Sequence, residues 1–256
     1  MIDPRAVIDP QARLADDVEV GPFAVIGPRV EIGSGSRIGP HCVIQGPTRI
    51  GRDNHIYQFA SIGDAPQDKK YAGEPTRLEI GDRNTIREFV TINRGTVQDK
   101  GVTRIGDDNW IMAYVHIAHD CEVGSHTIFA NSASLAGHVR VEDHAILGGF
   151  TLVHQFCALG AHCFTAFGTV LGKDVPPYVM VSGNPARPHG LNIEGLKRRG
   201  FGADALRALK QAYRTLYRSG LTLEEALARL RDQAAESPEV EALVRFLEGQ
   251  TRGIVR

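Results

Sequence analysis

Ile26-Gly27-Pro28-Arg29-Val30-Glu31-Ile32-Gly33-Ser34-Gly35-Ser36-Arg37-Ile38-Gly39 decides the fold of this chain. An isoleucine followed by a glycine returns at every sixth position. Backward, the same phase reaches Val20, Leu14 and Ile8; forward, it reaches Ile44, Ile50, Ile56 and Ile62. It resumes at Ile80, Ile86 and Ile92, slips by one residue, and runs again from Ile105 to Leu159, with Thr165 and Leu171 closing the series. A helix repeats every 3.6 residues and an alternating strand every two, so neither writes this pattern. A six-residue repeat is the signature of a parallel β-helix. Three hexads make one triangular coil, each hexad giving a short strand and a corner. The aliphatic residues point inward and stack from coil to coil, at the roughly 4.8 Å spacing of paired strands.

A second register agrees. Four places after the aliphatic residue the chain is usually small, as at Ala24, Ser36, Ala60, Ala133 and Ala145. All four cysteines, Cys42, Cys121, Cys157 and Cys163, share that register. Cysteine packs as a small hydrophobe, so these read as corner fillers rather than a disulfide framework or metal site. Periodicity is silent on handedness. Known hexapeptide-repeat proteins wind to the left, against the right-handed crossover rule, and the resemblance implies the same here.

Past Leu171 the rhythm stops. Pro176-Pro177 and Gly183-Asn184-Pro185-Ala186 are expected to end the regular strands. From Asn192 the period becomes helical, with one apolar stripe at Leu206, Leu209, Tyr213 and Leu216, a second at Leu223 to Leu230 and a third at Val240 to Leu247. Thr222 and Ser237 are the expected helix starts. The expectation is mainly β: a left-handed parallel β-helix over residues 1–190 and a C-terminal α-helical domain over 191–256. The formal net charge of -1 favours no nucleic acid. Lys197, Arg198, Arg199, Arg207, Lys210 and Arg214 concentrate positive charge, which reads as a solvated face or a docking surface for an acidic partner. No apolar run spans a membrane and Met1-Ile2-Asp3-Pro4 carries no signal peptide, so a cytoplasmic protein is expected. A triangular prism with flat faces suits a homotrimer.

Interruptions in a solenoid become loops on one face, often the binding face. Two occur, Gly63 to Arg77 and Asn93 to Arg104. Seven of the ten histidines lie from His116 to His162. His119, Gly137 and Gln155 fall one coil apart and stack on one flank, with His116, His138 and His154 near them. An imidazole is the usual general base at neutral pH, Asp120 could orient it, and a Gly137 N–H could meet an oxyanion. His126, His144 and His162 form a separate column whose outer members lie too far apart for one metal ion in one chain.

Several long motifs carry a closer likeness. His116-Ile117-Ala118-His119-Asp120-Cys121, Leu135-Ala136-Gly137-His138-Val139 and Val153-His154-Gln155-Phe156 resemble the UDP-N-acetylglucosamine acyltransferases of lipid A synthesis, the LpxA family. So do Gln67 to Arg77, Asn192-Ile193-Glu194-Gly195-Leu196-Lys197-Arg198-Arg199-Gly200 and the terminal Thr251-Arg252-Gly253. The likeness covers nearly the whole chain. It implies a homotrimer with active sites between subunits, moving an (R)-3-hydroxyacyl group from acyl carrier protein to the glucosamine 3-OH of UDP-N-acetylglucosamine. It implies no cofactor and no metal. By resemblance, His119 is the general base, Asp120 orients it and the Gly137 amide is the oxyanion donor. Asp68, Lys70, His116, His138, His154 and Gln155 match substrate contacts. Asn192, Glu194 and Arg198 match the nucleotide and phosphate set. Phe167 matches the position that limits acyl length, where bulk implies a medium chain. Other readings stay open: another hexapeptide acyltransferase using a 3-amino sugar or acetyl-CoA, a hexapeptide carbonic anhydrase, or a structural solenoid.

Overall fold

The computed structural model describes residues 1–250 and 252–256; Thr251 of the terminal motif lies outside them. Strands of two to five residues assemble into three sheets of nine, eight and ten strands. The chain visits the sheets in turn. Val25–Ile26 lies on the first, Val30–Ile32 on the second, Arg37–Ile38 on the third and Val43–Ile44 on the first again. Every pairing between coils is parallel, as in a left-handed β-helix. Ile26, Ile44, Ile62, Ile92 and Ile117 sit directly over one another and are fully enclosed. Burying one such side chain is worth about 1.5–3 kcal/mol. The two interruptions leave the stacking intact, because Ile62 still pairs with Ile92 and Ile92 with Ile117, and on the second sheet Ile50 pairs with Ile80 and Ile80 with Ile105. The extra residues are extruded as loops.

The corners explain the second register. The third residue after the aliphatic one adopts left-handed backbone, as at Phe23 (φ 59), Asp120 (φ 58), His138 (φ 64) and His162 (φ 59). The small residue that follows turns inward; Ala24, Ser36, Ala133 and all four cysteines are buried. Burial pushes the cysteine thiols up, which keeps them protonated and inert. Left-handed backbone costs a bulky residue about 1–3 kcal/mol. Stacking repays part of it, as where Phe23, His41, Phe59, Phe89 and Tyr114 form one aromatic ladder along the corner between the third and first faces.

The three faces differ in their outward residues. The second carries Arg13, Glu31, Arg49, Glu79, Arg104, Glu122 and Arg140 in one unbroken column of alternating charge. The third presents Trp110, Ile128, Ile146, Phe164 and Met180. The first presents Val7, Val25 and Val43 at one end and Leu152 and Val170 at the other.

One expectation needs correction. Strands do not end at Pro176-Pro177. Val179–Ser182 adds a further parallel strand beside Phe164–Thr165, and Arg187–Leu191 folds back antiparallel on it. Tyr178, at φ 70, makes one more corner after the prolines. The antiparallel strand then covers the edge the last coil would leave open. Helices α1 (Ile193–Arg198), α2 (Ala203–Tyr217), α3 (Leu223–Ala234) and α4 (Pro238–Glu248) follow. They share a core that includes Leu196, Leu209, Leu216, Leu230, Leu243 and Leu247. The expected starts hold: Thr222 forms a full capping box with Glu225, and Ser237 caps α4 ahead of Pro238.

Candidate active site

The corner after the first face gathers the chemistry. His119 and Gly137 occupy the same place in successive coils, since Ile117 pairs with Leu135, and Gln155 follows one coil later. A Cβ on Gly137 would stand 2.5 Å from His119 Cε1 and 2.7 Å from Nε2. The glycine backbone therefore lies directly against the imidazole. Among the described residues no acceptor takes the Gly137 N–H, while its carbonyl accepts from Phe156.

Left-handed geometry at Asp120 turns its carboxylate under the ring. His119 Nδ1 lies 2.9 Å from Asp120 Oδ2. A carboxylate accepts only, so the proton sits on Nδ1 and Nε2 keeps its lone pair toward the open side. Asp120 is fully enclosed and also accepts from the Thr96 N–H (2.9 Å) and Thr96 Oγ1 (2.6 Å). Burial alone would raise its carboxyl, but the donors from His119 and Thr96 outweigh that and hold it low. A second dyad stands beside the first. His138 Nδ1 lies 2.8 Å from Asp99 Oδ2, and its ring meets His119 edge-on at 5.0 Å and stacks on Phe156 at 4.4 Å.

Both interruptions feed this corner. Gln67, Asp68 and Lys70 from the first loop, and Thr96, Gln98 and Asp99 from the second, join Ala118, His119, His138, Gln155 and Phe156 around a cavity of about 790 Å³. Arg94 ties the loops together, donating to the Gly46 and Gly63 carbonyls and to Tyr71. Thr96, Asp99 and Phe156 were not singled out from sequence. An insertion shows its location in a repeat, but not which of its side chains reach back to an imidazole.

The remaining expected residues lie elsewhere in the chain. His116 Nδ1 is held by Thr91 Oγ1 at 2.7 Å, and burial, with His119 nearby, lowers its pKa. His154 stands outside on the same flank, 3.3 Å from Arg252. Phe167 is exposed at the corner between the third and first faces, edge-on to Phe150 and close over Gly149. Asn192 caps α1 and donates to the His162 carbonyl, and Glu194 pairs with Lys197. Those residues, with the exposed Arg198, belong to the corner between the second and third faces. There His126, His144 and His162 stack face to face at 4.9 and 4.7 Å, and burial pushes His162 down to about 4.

Residues 103–137 match the family described as bacterial transferase hexapeptide, and residues 174–255 match the one described as UDP-N-acetylglucosamine O-acyltransferase, domain 2. The acyl-[acyl-carrier-protein]–UDP-N-acetylglucosamine O-acyltransferase of Thiobacillus denitrificans is 69% identical over all of this chain and 99% of its own length. The chain belongs to the UDP-N-acetylglucosamine O-acyltransferase family. Among solved structures of the family, Acinetobacter baumannii LpxA superposes with a TM-score of 0.98 at 47% identity, covering all of this chain and 99% of that one. The Francisella novicida UDP-N-acetylglucosamine acyltransferase gives 0.98 at 44%, over all of this chain and 94% of that one. In this member of the family, no helix among the described residues is long and apolar enough to cross a membrane.

Proposed function

We propose that this chain transfers an (R)-3-hydroxyacyl group from acyl carrier protein to the 3-hydroxyl of UDP-N-acetylglucosamine, the first step of lipid A synthesis, in the cytoplasm. The relatives' names supply the two substrates. The observation that carries the chemistry is the buried Asp120–His119 dyad facing an unused Gly137 N–H.

His119 Nε2 takes the proton of the sugar 3-hydroxyl, and the oxygen attacks the thioester carbonyl. The Gly137 N–H donates to the oxyanion that forms. The C–S bond then breaks, and the thiolate leaves with the proton from the His119 imidazolium. Asp120 keeps the ring in the tautomer that can accept. Asp68, Lys70, His138 and Gln155 position the substrates around the cavity. No covalent enzyme intermediate and no cofactor enter these steps.

The working unit in this reading is a homotrimer. The charged second face suits water, whereas the first and third faces carry apolar outward residues. In a closed ring of three, each third face packs on a neighbour's first face and the second stays outside. That packing sets the corner of Asn192, Glu194 and Arg198 against the neighbour's corner of His119. Residues 1–190 then supply the reacting groups, and the helices of residues 191–256 receive the acidic carrier protein.

Mixing His119→Ala and Arg198→Ala subunits tests the shared site. Each variant alone is inactive or nearly so. Random mixed trimers should recover roughly a quarter of wild-type acylation, because one site in four joins two intact halves. Mixed trimers confirmed by mass that stay inactive would refute it.

An acyl chain leaving His119 runs inward between the two packed faces, toward the corner that holds Phe167. Its exposed ring walls that groove and favours a medium chain. Phe167→Gly should move the optimum to longer donors, with about 10–200-fold gained for each added carbon that formerly clashed. A panel of acyl carrier proteins of graded chain length reads this. A preference for the longest donors that the substitution leaves unchanged overturns it.

A further inference from the structure

His119, Asp120 and His138 each bring one ligand atom to within 4.8 Å of the others, and Asp99 closes on the same group through His138. We propose that His119, Asp120 and His138 form a binding site for a borderline divalent cation of the Zn²⁺ or Co²⁺ type, with Asp99 beside His138 as a supporting carboxylate, and that an ion seated there stops acyl transfer.

The geometry suits such an ion. A tetrahedral site with bonds of about 2.0–2.1 Å separates its ligand atoms by about 3.3 Å. Here His119 Nδ1 to Asp120 Oδ2 is 2.9 Å and His138 Nδ1 to Asp120 Oδ2 is 3.9 Å, while Asp99 Oδ2 stands behind His138 Nδ1 at 2.8 Å. Two imidazoles and one carboxylate, with the fourth position open to solvent, favour zinc or cobalt over magnesium or calcium. The supporting contacts are in place: the Thr96 N–H and hydroxyl fix Asp120, and Phe156 fixes the His138 ring. Asp99, His119 and His138 line the cavity, so an ion reaches them from solvent. The ladder of His126, His144 and His162 offers nothing comparable, because its rings lie face to face and their nitrogens do not converge.

Binding displaces the proton now held between each Nδ1 and its carboxylate, and that proton leaves to solvent. With Nδ1 on the ion, the one proton left on His119 sits on Nε2. The lone pair that would deprotonate a hydroxyl is gone. This second half rests on the base assignment given above; the site itself does not.

The test titrates metal-free, full-length protein with Co²⁺ and follows its visible ligand-field bands. Wild type should show bands that saturate at one ion per chain. Asp99→Asn, a change on an exposed loop, and His138→Gln should each weaken binding about 10–100-fold. Absent bands, or bands that survive in His138→Gln because the ion sits elsewhere, overturn the site. In parallel, Zn²⁺ should suppress acylation by wild type, and a chelator should restore it. Cobalt bands as expected together with undiminished acylation in Zn²⁺ would retain the site and overturn the role given to His119.

Discussion

His119→Ala lowers turnover by about 10²–10⁴-fold, the usual contribution of a positioned general base. The expectation rests on one proton. Asp120 accepts at 2.9 Å from Nδ1, so the free lone pair belongs to Nε2, the atom that faces Gly137 and the cavity. Turnover at saturating levels of both substrates is the reading, since a group that acts mainly as the bond forms changes kcat more than KM. The melting temperature should shift little, because the hexad column does not use this side chain. Asp120→Asn should act in the same direction. An amide at that position can turn its N–H toward Nδ1 and hold the ring in the wrong tautomer. A loss below tenfold in His119→Ala would remove the imidazole from the proton transfer.

Gly137→Ala comes next in size, at about 10²-fold in kcat. Its N–H is retained, so the donor survives. The new methyl would stand 2.5 Å from the His119 ring, a separation no relaxed structure tolerates. The backbone is pinned by the coils above and below, so the ring moves. A displacement of about 1 Å at a reacting group costs about that factor. A double-mutant cycle separates collision from general damage. In a His119→Ala background the ring it would strike is gone, so the alanine should have little further effect. Additive losses would mean the glycine matters for some reason other than the imidazole beside it.

The hexad made the coil legible because burial recurs at fixed steps: Ile26, Ile44 and Ile62 are adjacent in space because they are equivalent in phase. The same arithmetic placed Gly137 against His119, which no local pattern in either segment reveals. Likeness to the family, rather than phase, singled out Asp68 and Lys70. What phase could not show is where a loop of no fixed period returns. Thr96 and Asp99 act through hydrogen bonds to Asp120 and His138, and their positions follow from how Arg94 anchors the turn. The strand beyond Pro177 was missed for a related reason. Proline forbids donation at its own position, yet Val179–Ser182 pairs through residues after it.

The alternating column from Arg13 to Arg140 also guards assembly against misthreading. Stacked isoleucines are interchangeable, so the interior alone could accept a coil laid one storey too high. Were a coil to skip its neighbour, Arg13 would face Arg49 and Glu31 would face Glu79. Like charges directly opposed across a ladder repel, so the skipped register is disfavoured relative to the native one.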